Sequence, residues 1–240
     1  MFKKILIIKT GSTVPSLLEK GEDFEDWIIE TSGLTAEKFV VCSLHLGQDL
    51  ADIHRVSGII VTGSPAYLTD LEKWNYIGAE YLREAFDLSI PLLGICYGHQ
   101  LLAWAFGGEV GFHPQGREIG TVDIELSSNA LDDLLFGDTP SNFSAQASHQ
   151  QTVLKLPDGA VLLAKNNFEP HHGFRLGSCA WGIQFHPEFS DEVVAEYIRA
   201  RKQAIEEEGL DSAELLKQVH ATPDSAALLQ QFARIVDGEV

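Results

Sequence analysis

The sequence predicts an α/β fold built on an open, mostly parallel central sheet flanked by helices. Three observations lead there. Short β-branched runs bounded by turn residues recur along the first half of the chain. Stretches of helical periodicity separate them, and strands that alternate with helices form a parallel sheet covered on both faces. Finally, 240 residues with 45% hydrophobic content are enough to bury one sizeable core.

The elements follow in order. Ile5–Ile8 is an apolar run after two lysines, shorter than the roughly 7–15 residues of a signal-peptide core, and it reads as a buried first strand. Phe39–Leu44, Gly58–Thr62 and Pro91–Ile95 are the next strands, and Glu72–Phe86 is an amphipathic helix. After Phe106-Gly107-Gly108 the texture changes. Ile119–Leu126, Phe143–Ala147, Val161–Lys165, His172–Leu176 and Ala180–Phe185 are strand-like with short polar connections, which predicts a smaller, partly antiparallel region.

A helical C-terminal extension closes the chain, over Asp191–Glu207, Ser212–His220 and Ser225–Val236, with Pro223 separating the last two. Repeats, low-complexity segments and linkers are absent from the sequence, so a single domain over 1–240 is expected, its core at about 1–200 and its extension at about 203–240. Leu215, Leu216, Val219, Leu228, Leu229, Phe232, Ile235 and Val236 give the extension helices one apolar face each. That face docks on the chain's own sheet, or on a second copy in a homodimer, or on a synthetase subunit. Glu206-Glu207-Glu208 reads as a solvated helix end.

Charge and composition exclude several classes. With 35 acidic against 17 basic residues the formal charge is −18, so no nucleic-acid partner is expected, because phosphates need clustered Lys and Arg. No apolar run approaches the ~20 residues of a membrane span. Cys42, Cys96 and Cys179 are an odd set with no C-x-x-C spacing, which fits reduced thiols and a cytoplasmic location. His171-His172 lacks cysteine or carboxylate partners at ligand spacing, so no metal site is expected, nor any cofactor.

The chemistry concentrates in Pro91-Leu92-Leu93-Gly94-Ile95-Cys96-Tyr97-Gly98-His99-Gln100. A buried strand runs straight into a helix with Cys96 at the junction and a glycine two residues away on each side. This is the G-x-nucleophile-x-G elbow with cysteine in place of serine. The glycines permit a sharp turn where a Cβ would clash. A helix N-terminus favours the thiolate, and the N–H of Tyr97 is placed to receive an oxyanion. By contrast Cys42 and Cys179 sit in strand-like runs without flanking glycines and read as structural.

A cysteine nucleophile needs a base. His186 follows a strand and precedes Glu188 by two residues in Phe185-His186-Pro187-Glu188. In an extended segment these two side chains project to the same side, so Glu188 would orient and stabilise the imidazole. His113 and His220 take no role in this scheme.

With Gly94–Gln100 and Phe185–Glu188 both in view, 90 residues separating Cys96 from His186, the chain resembles the class I glutamine amidotransferases, and most of all the free-standing relatives of the amidotransferase domain of GMP synthase. The likeness runs from about Phe2 to Arg199 and includes Val61-Thr62-Gly63-Ser64-Pro65, Gly107-Gly108 and Ser148-His149. It implies a flavodoxin-like fold, a second oxyanion donor at the Gly63 N–H, substrate contact by Gln100, and recognition of the substrate's α-amino and α-carboxylate groups by Ser148 and His149, largely through backbone. Many members have glycine after that histidine, whereas this chain has Gln150-Gln151.

The resemblance implies glutaminase-type hydrolysis of the glutamine side-chain amide through a cysteine γ-glutamyl thioester, releasing ammonia for an acceptor on a separate chain. Neither a G-x-x-x-x-G-K-[ST] loop nor a Ser-Gly-Gly-x-Asp-Ser loop is present, so a synthetase within this sequence is not expected. The alternative is a stand-alone γ-glutamyl hydrolase or peptidase using the same triad.

Overall fold

The computed structural model describes residues 3–239. Eleven strands and eight α-helices succeed one another as β1 (Lys4–Lys9), α1 (Pro15–Leu18), α2 (Phe24–Ser32), β2 (Phe39–Ser43), β3 (Val56–Val61), α3 (Lys73–Asp87), β4 (Leu92–Ile95), α4 (Tyr97–Ala105), β5 (Glu109–Phe112), β6 (Glu118–Leu126), β7 (Asn142–His149), β8 (Gln151–Lys155), β9 (Val161–Lys165), β10 (Gly173–Leu176), β11 (Ala180–Ile183), α5 (Asp191–Ala200), α6 (Lys202–Glu207), α7 (Ser212–Gln218) and α8 (Pro223–Asp237). Nine strands form one sheet in the order β2-β1-β3-β4-β11-β10-β9-β6-β7. The pairings from β2 to β11 are all parallel and those from β11 to β7 all antiparallel, so only β10 and β6 run against the other seven. The antiparallel region is thus a continuation of the parallel sheet. Only β5 and β8 stand apart, as a ribbon beside α4.

The central strands β1, β3, β4 and β11 are apolar on both faces because each face is covered. Helices α3 and α4 bury Ala79, Leu82, Leu101 and Leu102 on one side. On the other, α2 and α8 bury Ile28, Leu228, Leu229 and Phe232. The extension helices therefore dock on the chain's own body, α8 against α2, β3 and β7, and α7 against α5 and β6. The sequence reading did not anticipate α2, although Asp23 caps it reciprocally with Asp26. Ribbon strands β5 and β8 were also not anticipated, both being short and the alternation of β5 being interrupted by Gly111.

Two close approaches fix the elbow. A Cβ on Gly94 would lie 2.3 Å from the Gly98 carbonyl oxygen, and one on Gly98 would lie 2.4 Å from the Val61 carbonyl oxygen. Strand β4, the first turn of α4 and the end of β3 therefore interlock with no room for a side chain. Alanine at position 98 would gain about 1 kcal/mol of helix propensity but meet backbone that cannot step aside. Gly98→Ala is expected to lose about 3 kcal/mol of stability in urea unfolding; a neutral or stabilised variant would show that the interlock is not rigid.

Candidate active site

Cys96 caps α4 at the carboxyl end of β4, with φ 51° and ψ −99°. This is a left-handed-side conformation that side-chain-bearing residues rarely adopt, with a cost of about 1–3 kcal/mol. The backbone is held there by Cys96 N–H donating to Ile183 O at 2.8 Å and Gln100 N–H donating to Cys96 O at 3.1 Å. The thiol is almost fully buried and lies 3.9 Å from Ser148 O.

His186 reaches the same point from the end of β11, bridged to β7 by its N–H donating to Gln146 O at 2.8 Å. Its Nδ1 lies 2.7 Å from Glu188 Oε1, and the imidazole lines the same lobe of the cleft as the Cys96 thiol. The ring is stacked on Phe189 at 4.0 Å between centroids. The segment is not extended as the sequence reading assumed. Phe189 N–H donates to His186 O at 3.4 Å, so a turn carries Glu188 back under the imidazole.

Burial alone would raise the thiol of Cys96, but the His186 imidazolium, by charge and hydrogen bond, outweighs it and holds the thiol below its ordinary value. Burial would lower His186. The charges of Glu188 and Cys96, with hydrogen bonds to both, push it up to about 10. The two groups titrate as a pair. Cys96, depressed, contributes stability above its ordinary value that is lost as pH falls through the lowered one; His186, raised, contributes below about 6.5 and loses it as pH rises through about 10. The thiolate–imidazolium form therefore occupies the window between them. Alkylation of Cys96 by iodoacetamide is expected to be fast at pH 7, and His186→Ala should move its onset to higher pH. Burial pushes the thiols of Cys42 and Cys179 up, so both should stay unmodified at pH 7.

Gly63 and Tyr97, the residues expected to supply oxyanion donors, lie on adjacent backbone. Gly63 follows β3, and its carbonyl accepts from Thr10 Oγ1 at 3.0 Å and Thr62 Oγ1 at 2.9 Å. A Cβ there would lie 2.8 Å from His186 Cε1. Gly98 N–H donates to Thr62 O at 3.2 Å, drawing the first turn of α4 against Gly63. Tyr97 is the first residue of that helix, so its N–H has no acceptor within it. The Tyr97 side chain turns into the core, where its hydroxyl donates to Asn75 Oδ1 at 2.6 Å.

Two lobes of one cleft open at Cys96. The smaller, about 50 Å³, is lined by Tyr97, Gln100, Ser148, His149, Gln150 and Gln151 among others. Gln100 Nε2 is engaged by Gln151 O at 2.8 Å and Gln184 Oε1 at 3.1 Å. Ser148 Oγ is buried with no partner in the structure. The His149 side chain turns away from the cleft, its Nε2 2.8 Å from Glu118 Oε2, leaving main chain to face the lobe. The Gln150-Gln151 departure has a structural reason. Gln150 joins Tyr67 on one side to Glu208 on the other, and Gln151 accepts from Leu68 N at 3.0 Å and donates to Thr69 Oγ1 at 2.7 Å. Together they roof the small lobe. Glu208 is therefore more than a solvated helix end, since it also makes a bidentate pair with Arg117 at 2.9 Å.

The larger lobe, about 320 Å³, lies on the His186 side and is lined by Ser12, Thr13, Val14, Phe24, Tyr197 and Arg201 among others. The sequence reading missed these residues. Arg201 carried a legible signal, because Val194, Tyr197, Ile198 and Arg201 share one face at i, i+3, i+4 and i+7, and three of the four are buried apolar. The expected helix over 191–207 is in fact interrupted at Arg201, where the backbone leaves helical geometry between α5 and α6.

Comparison with known proteins shows the family to which the chain belongs. Residues 22–202 match the family model "Glutamine amidotransferase class-I". A GMP synthase [glutamine-hydrolyzing] of Aeropyrum pernix is 35% identical over 134 residues, covering 56% of this chain and 24% of that protein. The gamma-glutamyl-L-1-hydroxyisopropylamide hydrolase of a Pseudomonas species is 30% identical over 188 residues, covering 74% of this chain and 62% of that one. The gamma-glutamyl peptidase 3 of Arabidopsis thaliana is 28% identical over 203 residues, covering 82% and 81%. The chain thus spans about a quarter of the first of these relatives and under two thirds of the second. The crystal structure of a glutamine amidotransferase from Thermotoga maritima superposes with a TM-score of 0.77 at 22% identity, covering 98% of each chain. Among the described residues no helix is long and apolar enough to cross a membrane.

Proposed function

We propose that this chain, which belongs to the class I glutamine amidotransferase family, hydrolyses the side-chain amide of glutamine or a related γ-glutamyl amide through a thioester on Cys96. The observation that carries the reading is the buried Cys96–His186–Glu188 constellation at a strained strand-to-helix elbow, open to a cleft. The Cys96 thiolate attacks the γ-carbonyl carbon, and the N–H groups of Gly63 and Tyr97 receive the developing oxyanion. The C–N bond then breaks as His186 delivers its proton to the departing nitrogen. Water, deprotonated by the same imidazole, adds to the thioester and releases glutamate with the thiolate restored. Glu188 holds Nδ1 and stabilises the imidazolium throughout. The α-amino and α-carboxylate groups sit in the small lobe, against the main chain of Ser148 and His149 and beside Gln100.

In the glutamine form of this reaction the product is ammonia, passed to an acceptor on a separate chain. Support comes from the GMP synthase relative, of which this chain matches only a quarter. A stand-alone γ-glutamyl hydrolase or peptidase is the second reading, and the larger lobe favours it. Ammonia, a molecule the size of water, needs a cavity of only about 10–15 Å³ on the measure by which the larger lobe holds about 320 Å³, and that lobe lies on the side from which His186 protonates the leaving nitrogen. Glutamate release by the isolated protein, from glutamine and from γ-glutamyl amides of larger amines, separates the readings. Efficient cleavage of the larger amides with negligible glutaminase activity rejects ammonia delivery, and the reverse rejects the hydrolase. No glutamate from either class rejects both.

A further inference from the structure

Arg201 is a cation without a counter-ion in a strongly acidic chain. Among the described residues no carboxylate forms an ion pair with it, although acidic residues outnumber basic ones 35 to 17. Its guanidinium carbon lies 5.3 Å from the centroid of the Tyr197 ring, and its Nε is buried with no hydrogen-bond partner. The neighbouring Arg117 is satisfied by Glu208. Arg201 thus lines the cleft with donor capacity unspent, which is costly unless something that enters the cleft accepts those hydrogens.

The position within the cleft indicates what enters. Once the γ-carbonyl is over Cys96, the glutamyl half and the leaving amine must point in different directions. His186 lines the larger lobe and not the smaller, so the leaving amine occupies the larger. That lobe is walled by Val14, Pro15, Phe24 and Tyr197, with small hydroxyls at Ser12 and Thr13. Arg201 is the one guanidinium of that lobe and stands where the two lobes meet, since it also lines the smaller one, where the α-carboxylate has the main chain of Ser148 and His149 beside it. A planar fork of N–H donors on an aromatic face fits a carboxylate.

We propose that Arg201 reads a carboxylate on the leaving amine, so that the favoured substrates are γ-glutamyl amino acids, whose amine carries both a carboxylate and an apolar body. This rests on the γ-glutamyl hydrolase reading above and assigns its substrate class. The Coulombic attraction also lets an anionic substrate approach a chain of charge −18, since the local cation sits at the point of binding.

The test compares γ-glutamyl-alanine with γ-glutamyl-ethylamide, which has the same leaving amine without its carboxylate, in wild type, Arg201→Gln and Arg201→Lys. Wild type is expected to prefer γ-glutamyl-alanine, and the ratio of the two kcat/KM values should fall on the order of 10- to 100-fold in Arg201→Gln, chiefly through KM. Arg201→Lys should recover part of it. The comparison is a ratio within one variant, so partial misfolding does not mimic the effect. A ratio unchanged within about twofold of wild type overturns the assignment, as does an equal loss on both substrates, which would place the α-carboxylate at Arg201 instead. Wild type that cleaves the ethylamide but not γ-glutamyl-alanine overturns the assignment while sparing the hydrolase reading. Failure on both amides overturns the hydrolase reading itself.

Discussion

Replacing Cys96 with alanine or with glycine is expected to abolish γ-glutamyl hydrolysis, with a loss of about 10⁴-fold or more, because the thioester route has no substitute nucleophile. The two variants should differ in stability in an unusual order. Glycine ordinarily costs about 0.5–1 kcal/mol relative to alanine through the entropy of the unfolded chain. At position 96 the backbone sits at φ 51° and ψ −99°, a conformation costing a residue with a Cβ about 1–3 kcal/mol. Both variants lose the thiol and its pairing with His186, so that contribution cancels between them. Strain relief is the larger of the two remaining effects, and Cys96→Gly should exceed Cys96→Ala by about 1 kcal/mol in urea unfolding. The usual order, with alanine more stable, would mean that the elbow holds no strain and that Cys96 is presented by packing alone.

The largest expected loss of stability comes from a group that the sequence reading did not single out. Glu118 on β6 is buried, with Oε2 at 2.8 Å from His149 Nε2 and 3.1 Å from His172 Nε2, and Oε1 accepting from Asn166 Nδ2 at 2.8 Å. The His172 contact is within ion-pair distance but poorly aligned for a hydrogen bond. Burial would raise this carboxyl, yet the two imidazoles hold it far below the usual carboxylate range, and Glu118 in turn raises His149. Removing the carboxylate in Glu118→Ala strands two buried imidazoles and an amide, a loss of about 3–5 kcal/mol.

The pH dependence of that loss follows from both shifts. Glu118, depressed, stabilises the fold above about 4.5 and ceases to as pH falls through its lowered value. His149, raised, stabilises below about 6.5 and ceases to as pH rises through its raised value. The difference between wild type and Glu118→Ala should therefore be greatest between about pH 4.5 and 6.5. A difference below about 1 kcal/mol in that window would contradict the account. Since Glu118 pairs in register with His149 on β7, next to Ser148 at the Cys96 thiol, this cluster sets the wall of the small lobe.

Much of the site was legible because its chemistry is local. The elbow is a seven-residue pattern, and His186 with Glu188 lie two residues apart, so neither needs the tertiary fold to be read. The sheet was legible up to its order: β-branched runs mark strands, but nothing local says that β11, last in sequence, inserts between β4 and β10. That insertion brings His186 to Cys96. Long-range pairs were invisible for the same reason. Arg117 with Glu208, Gln150 with Tyr67, and Glu118 with the two histidines are joined only by the fold. Helix α2 was obscured because its N-terminal signal rests on aspartates, Asp23 and Asp26, in a charged stretch that reads as surface loop. The break at Arg201 has no proline or glycine to announce it.

The central claim is that Cys96 forms a covalent γ-glutamyl intermediate with His186 as its base. Incubation of wild type with a glutamine-analogue electrophile, followed by peptide mass spectrometry at pH 7, tests it directly. The predicted result is a single adduct on the Cys96 peptide, formed much more slowly in His186→Ala and suppressed by excess substrate. An adduct on Cys42 or Cys179, or no adduct on Cys96 at any concentration, would contradict it.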